Sequence, residues 1–104
     1  MIKWDHIIGF EWDAGNARKS LDKHDISQAE AEQIFFNEPL LLLTDTKHSQ
    51  QESRYHALGV SDEMRLLHIT FTLRENESLI RVISARDMHH KERRSYEQAK
   101  KIHP

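Results

Sequence analysis

Leu67-His68-Ile69-Thr70-Phe71-Thr72-Leu73 alternates apolar and polar side chains without a break. Successive side chains of a strand point to opposite faces, whereas a helix repeats every 3.6 residues. The stretch therefore reads as a strand with Leu67, Ile69, Phe71 and Leu73 on one face and His68, Thr70 and Thr72 on the other. It decides the fold class because its neighbours repeat it. Upstream, Glu52 to Gly59 sets Arg54, His56 and Leu58 against Tyr55 and Ala57. Downstream, the polar turn Arg74-Glu75-Asn76-Glu77-Ser78 leads into apolar Leu79 to Ser84. Three consecutive strands with short polar connections predict an antiparallel meander. Leu40 to Leu43 reads as one further buried strand.

The N-terminal part changes period. Ile8, Phe10 and Trp12 share one face of a short strand, and Asp13 is a good N-cap for a helix to about Lys23 with Ala14, Ala17 and Leu21 along one stripe. Lys23 and His24 in its last turn complement the helix dipole. Ser27-Gln28-Ala29-Glu30 is a capping box opening a second helix that buries Ala31, Ile34 and Phe35, and Pro39 ends it. A last helix, about Met88 to Ile102, has only Met88, Tyr96, Ala99 and Ile102 as apolar positions, a thin stripe for holding it to its own domain. The expected fold is α+β: two N-terminal helices packed on an antiparallel sheet of three to four strands, then a C-terminal helix.

Bulk properties narrow the function classes. The chain has 104 residues, enough for one domain, with 38% hydrophobic and 31% charged residues, a globular balance. It has no cysteine, which removes disulfides and thiolate metal sites. No apolar run approaches a membrane span and Met1-Ile2-Lys3-Trp4-Asp5-His6 is not a signal peptide, so a cytoplasmic location away from membranes is expected. Net charge is −2, yet residues 86–104 carry six Lys and Arg against three Asp and Glu, net +3, leaving −5 for residues 1–85. His89, His90 and His103 add to that basic end. The asymmetry suits either a solvated helix face or one that meets an acidic partner or phosphates.

Two cations sit oddly in the last strand: Arg81 in its middle and Arg86 at its end. Strict alternation puts them on opposite faces, so they converge only if the strand ends or bulges near Ser84. Arg54 and His56 share a face of another strand. Each arginine alone reads as a rim residue, but three with a histidine on adjacent strands suit a phosphate, whose oxygens match the guanidinium fork. The eight histidines lack metal-ligand spacing, and neither a metal nor a cofactor is expected. His68 reads as part of the polar face of its strand. Trp4, Trp12 and Tyr55 could stack on bases, with Trp12 the better candidate for the core.

The residues also carry a resemblance. Phe10-Glu11-Trp12-Asp13, Asn16, Lys23-His24, the Ser27 capping box, Arg54, Gly59, Ile83-Ser84-Ala85-Arg86 and Glu92-Arg93-Arg94 with Tyr96 resemble the pattern of the BrnT toxin family over about residues 8 to 98. Asp25 stands where that family usually has glycine, and Asp87-Met88 where Ala or Pro is usual. Asp25 is thus expected in the left-handed region, which aspartate tolerates. The resemblance implies a RelE-like fold and a ribonuclease toxin of a type II toxin–antitoxin system that blocks translation. It also implies a BrnA-like ribbon-helix-helix antitoxin, with operator DNA reached only through that antitoxin.

Metal-free RNA cleavage uses the adjacent 2′-OH as nucleophile and needs a base, an acid and fixed cations. Arg54, Arg81 and Arg86 are then the expected cations, Lys23, His24 and His56 the acid/base candidates, and Glu52 a further base. Arg93, Arg94, Tyr96 and Lys100 are expected to meet RNA or antitoxin. The competing readings are a non-catalytic binding module and an inactivated homologue that binds only the antitoxin.

Overall fold

The computed structural model describes residues 2–47 and 52–102; His103 of the basic end lies outside them. The elements are β1 (Gly9–Trp12), α1 (Ala14–His24), α2 (Gln28–Gln33) running into a 3-10 turn (Ile34–Phe36), β2 (Leu41–Thr44), β3 (Arg54–Val60), β4 (Leu66–Arg74), β5 (Leu79–Asp87) and α3 (His90–Ile102). Five strands form one mixed sheet in the order β1-β5-β4-β3-β2. This corrects the expected three- or four-stranded antiparallel sheet. The meander β2 to β5 is antiparallel, but β1 joins its far edge in parallel, Phe10 opposite Ile80 and Trp12 opposite Val82. Such a pairing joins residues some 70 positions apart, and no local turn signal announces it.

Local signals explain the helix ends. Asp13 Oδ1 accepts from the backbone N–H of Gly15 and Asn16 at 2.9 and 3.1 Å. Asp25 ends α1 at φ 54°, ψ 43°, the left-handed conformation expected of it. Ser27 Oγ caps α2 through the Glu30 N–H at 3.1 Å, but the Glu30 carboxylate faces Ser61 and Arg65 instead of closing the box. Along α1, Ser20 is buried and Leu21 half exposed, so that helix is anchored by less apolar surface than its sequence stripe suggests.

Register partners share a face, so the sheet has two distinct sides. One carries Tyr55, Ala57, Ile69, Phe71, Ile80, Val82 and Ala85 against Ile26, Ala31, Ile34 and Phe35. There, a Cβ at Gly59 would lie 2.8 Å from Cβ of Ile34, so glycine lets the 3-10 turn approach the strand. The other side is divided. Leu58 and Val60 pack with Met88 and the fully buried Tyr96 of α3, whose hydroxyl donates to the Pro39 carbonyl at 2.7 Å. The C-terminal helix thus belongs to a second core, correcting the expectation that its thin stripe leaves it loosely held. One aromatic side chain in a matched pocket suffices where the stripe count is low. Leu42 and Leu43 are exposed on the edge strand β2, so that run is not a buried strand.

The register with β5 shifts at a bulge between Thr70 and Phe71: Thr70 faces Ser84, Phe71 faces Val82, and Ile83 is the extra residue. Beyond it the faces exchange. Arg81 pairs with Thr72 and Arg86 with His68, so both arginines reach the polar half of the second side.

Candidate active site on the polar half of the sheet

His56 and His68 come from adjacent strands, and their rings meet edge to face with centroids 4.9 Å apart. His68 Nε2 lies 2.9 Å from His56 Nδ1, which also lies 3.0 Å from Thr70 Oγ1. The other end of each ring meets a carboxylate: His56 Nε2 is 2.9 Å from Asp45 Oδ2, and His68 Nδ1 is 2.8 Å from Glu92 Oε2. Arg86 forks onto Glu92 at 2.9 and 3.0 Å, donates from Nη1 to the Asp87 carbonyl at 3.0 Å, and places Nη2 2.8 Å from His68 Nδ1. Five side chains from β3, β4, β5, α3 and the residue after β2 thus form one continuous polar chain.

Electrostatics follow from that packing. Burial opposes ionisation of Glu92, but the Arg86 fork, the His89 N–H and His68 outweigh it and hold its carboxyl at about 2. Burial pushes the His68 imidazole down from its usual range; the Glu92 hydrogen bond works against this, and the Arg86 charge adds to it. The site therefore holds a fixed carboxylate beside an imidazole biased toward its neutral, proton-accepting form.

The other expected residues divide. Lys23, His24 and Arg86 line one groove of about 190 Å³ between α1 and the bulged half of β5, together with Asn16, Lys19 and Ser84. Arg54 projects from the same face as His56, in register with Thr72. Arg81 is paired elsewhere, 2.6 Å from Glu11 and 3.7 Å from Asp13. Glu52 lies 3.5 Å from Arg74 at an exposed corner. Tyr55 stacks on Phe71, Trp12 donates to Glu32, and Trp4 packs toward Phe35, all on the helix-covered side, which removes them as base-stacking platforms for the polar face. Arg93 and Arg94 are exposed on α3 and Lys100 is partly so, whereas the burial of Tyr96 takes it out of any surface contact.

Asp45, His68 and Glu92, which the sequence pattern did not single out, join the candidate site, and Arg65 braces it. His68 had a usable signal, since alternation already set it on the polar face. Arg65 had none: its guanidinium holds Asp87 at 2.8 and 3.0 Å and caps the last carbonyls of α1, Asp25 at 2.8 Å and His24 at 2.6 Å. It thereby ties the helix end that carries Lys23 and His24 to the exit of β5. Among the described residues no group of three or more His, Cys, Asp or Glu is arranged to hold a metal ion, and no helix is long and apolar enough to cross a membrane.

A protein-family profile described as "Ribonuclease toxin, BrnT, of type II toxin-antitoxin system" matches residues 12–92. Among solved structures, the chain is similar to the 1.1 Å crystal structure of the Brucella abortus ribonuclease toxin, BrnT, with a TM-score of 0.58 and 16% sequence identity. That match covers 80% of this chain and 99% of the other, a likeness of fold. No curated protein matches the sequence significantly.

Proposed function

This chain belongs to the BrnT family of ribonuclease toxins of type II toxin–antitoxin systems, and from that membership we propose that it cleaves RNA with its own side chains, around His56, His68 and Arg86. The single observation that carries the reading is the contact of two imidazoles with a guanidinium, His68 lying 2.9 Å from His56 and 2.8 Å from Arg86. Attack of a 2′-OH on the adjacent phosphate needs an acceptor for the hydroxyl proton and a donor for the departing 5′-oxygen. It also needs fixed positive charge for the phosphoryl oxygens. The imidazoles supply the first need, Arg86 and Arg54 the charge, and Lys23 and His24 across the groove a proton donor. Arg81, held by Glu11 and Asp13, acts on β1 rather than on substrate.

The cleavage is metal-independent on this reading. All four ring nitrogens of His56 and His68 already face protein partners at 2.8–3.0 Å, which suits proton transfer within the protein better than ligation. RNA cleavage inhibits translation in the cytoplasm, and a BrnA-like ribbon-helix-helix antitoxin neutralises the chain and carries operator contacts. The exposed basic side of α3, with Arg93, Arg94 and Lys100, is the surface offered to that antitoxin or to RNA.

Incubating the purified chain with RNA in EDTA, followed by end-group analysis, tests the reading. A 2′,3′-cyclic phosphate and a 5′-OH are expected. Products bearing 5′-phosphates, or activity lost in EDTA, would sink the mechanism; no cleavage under any condition would favour a binding module.

A further inference from the structure

With both rings neutral, the hydrogen bonds of the imidazole pair fix where its protons sit. Asp45 Oδ2, 2.9 Å from His56 Nε2, requires a hydrogen on that nitrogen. In the neutral ring Nδ1 of His56 is then bare and accepts from Nε2–H of His68 at 2.9 Å, with the Thr70 hydroxyl as a second donor. His68 is thereby also an Nε2–H tautomer. Within the pair one bare nitrogen remains, Nδ1 of His68, and it lies 2.8 Å from Arg86 Nη2 and 2.8 Å from Glu92 Oε2. It can accept from Arg86 while neutral, or donate to Glu92 once protonated, but it cannot do both.

Resting on the ribonuclease reading, we propose that Nδ1 of His68 is the base for the 2′-OH, that Asp45 and His56 are positioning residues that lock its tautomer, and that Arg86 caps the base until a phosphate draws the guanidinium away. Substrate then exposes the lone pair at the moment it is needed. The 2′-oxygen bonds to phosphorus as the P–O5′ bond breaks; the hydroxyl proton passes to His68 Nδ1, which turns to Glu92, and the 5′-oxygen takes a proton from His24. The groups facing the pair are Asp45 after β2, Arg54 on β3, Thr70 on β4, Arg86 on β5 and Glu92 on α3, so two carboxylates are on hand to balance the imidazolium.

Since Arg86 and a proton compete for one nitrogen, anion binding at Arg86 and proton binding at His68 favour each other. The test is a ¹⁵N NMR titration of the imidazoles in the full chain with and without sulfate, beside a pH profile of RNA cleavage. Both rings should be Nε2–H tautomers when neutral. Sulfate should raise the proton affinity of His68 in the wild type and not in Arg86→Gln. His68→Gln should lower cleavage about 10²–10⁴-fold, and Asp45→Asn should move the acidic limb of the profile to lower pH by removing a charge that favours the imidazolium. An Nδ1–H tautomer for His68, or an equal sulfate response in Arg86→Gln, overturns the inference while RNA cleavage stands. A wild-type chain that cuts no RNA overturns the ribonuclease reading and the base assignment with it.

Discussion

Nη1 of Arg81 lies 2.6 Å from Oε1 of Glu11, its register partner across the parallel pairing of β5 with β1. Arg86, five residues on, instead holds Glu92 and His68. Two arginines of one strand thus do different work, one fastening an edge and one entering the polar site.

Replacing each with alanine should separate these roles. Arg81→Ala should cost roughly 1 kcal/mol of stability, as for a partly exposed ion pair, and reduce RNA cleavage little. Arg86→Ala should lower cleavage by on the order of 10²–10³. Urea unfolding and cleavage rates on both variants check this; equal losses of activity would return Arg81 to the site.

Stability should fall in acid through Glu92. Its folded carboxyl is depressed to about 2 from 4.5, so its contribution is present above about 4.5 and is lost as pH falls toward 2. The full linkage is on the order of 3 kcal/mol. Glu92→Gln keeps an acceptor for the His89 N–H but loses the charge pair with Arg86. Its unfolding free energy should therefore vary less between pH 5 and pH 3 than that of the wild type, as urea titrations at both values would report.

Gly59→Ala should destabilise the fold by about 1–3 kcal/mol, since the added methyl meets Cβ of Ile34 at 2.8 Å on a backbone that is already packed. Thermal denaturation gives the answer directly. An unchanged midpoint would mean that the 3-10 turn yields freely.

Arg65→Ala should loosen the end of α1. It removes the fork onto Asp87 and the caps on the Asp25 and His24 carbonyls, and hydrogen bonds to a charged group are worth about 1.5–3 kcal/mol each. Amide hydrogen exchange should rise at Leu21 to Asp25 before it rises in the sheet. Uniform exchange across the chain would deny Arg65 this local role.

Reversing Arg93 and Arg94 to glutamate should leave stability within about 0.5 kcal/mol, because both are exposed. Association with the antitoxin should slow and lose its salt dependence. Stopped-flow association at two ionic strengths would decide, and an unchanged rate would place the antitoxin elsewhere.

The sequence by itself determined what depends on neighbours along the chain. Asp13 and Ser27 start their helices, Asp25 ends one in the left-handed region, and alternation from Leu67 to Leu73 divides β4 into an apolar and a polar face. It even set the condition for Arg81 and Arg86 to share a side, a bulge near Ser84. Whether that bulge forms is a tertiary matter, because it depends on how β5 must twist to pair with β4 and β1 at once. The parallel seat of β1 and the burial of Tyr96 under Pro39 were likewise decided in three dimensions. So was the meeting of Asp45, His56, His68, Glu92 and Arg86, five residues spread over 48 positions. Periodicity can say which way a side chain points from its own backbone. Which other side chain it meets is settled only when distant elements pack, and in this protein the polar chain from Asp45 to Glu92 consists of such meetings.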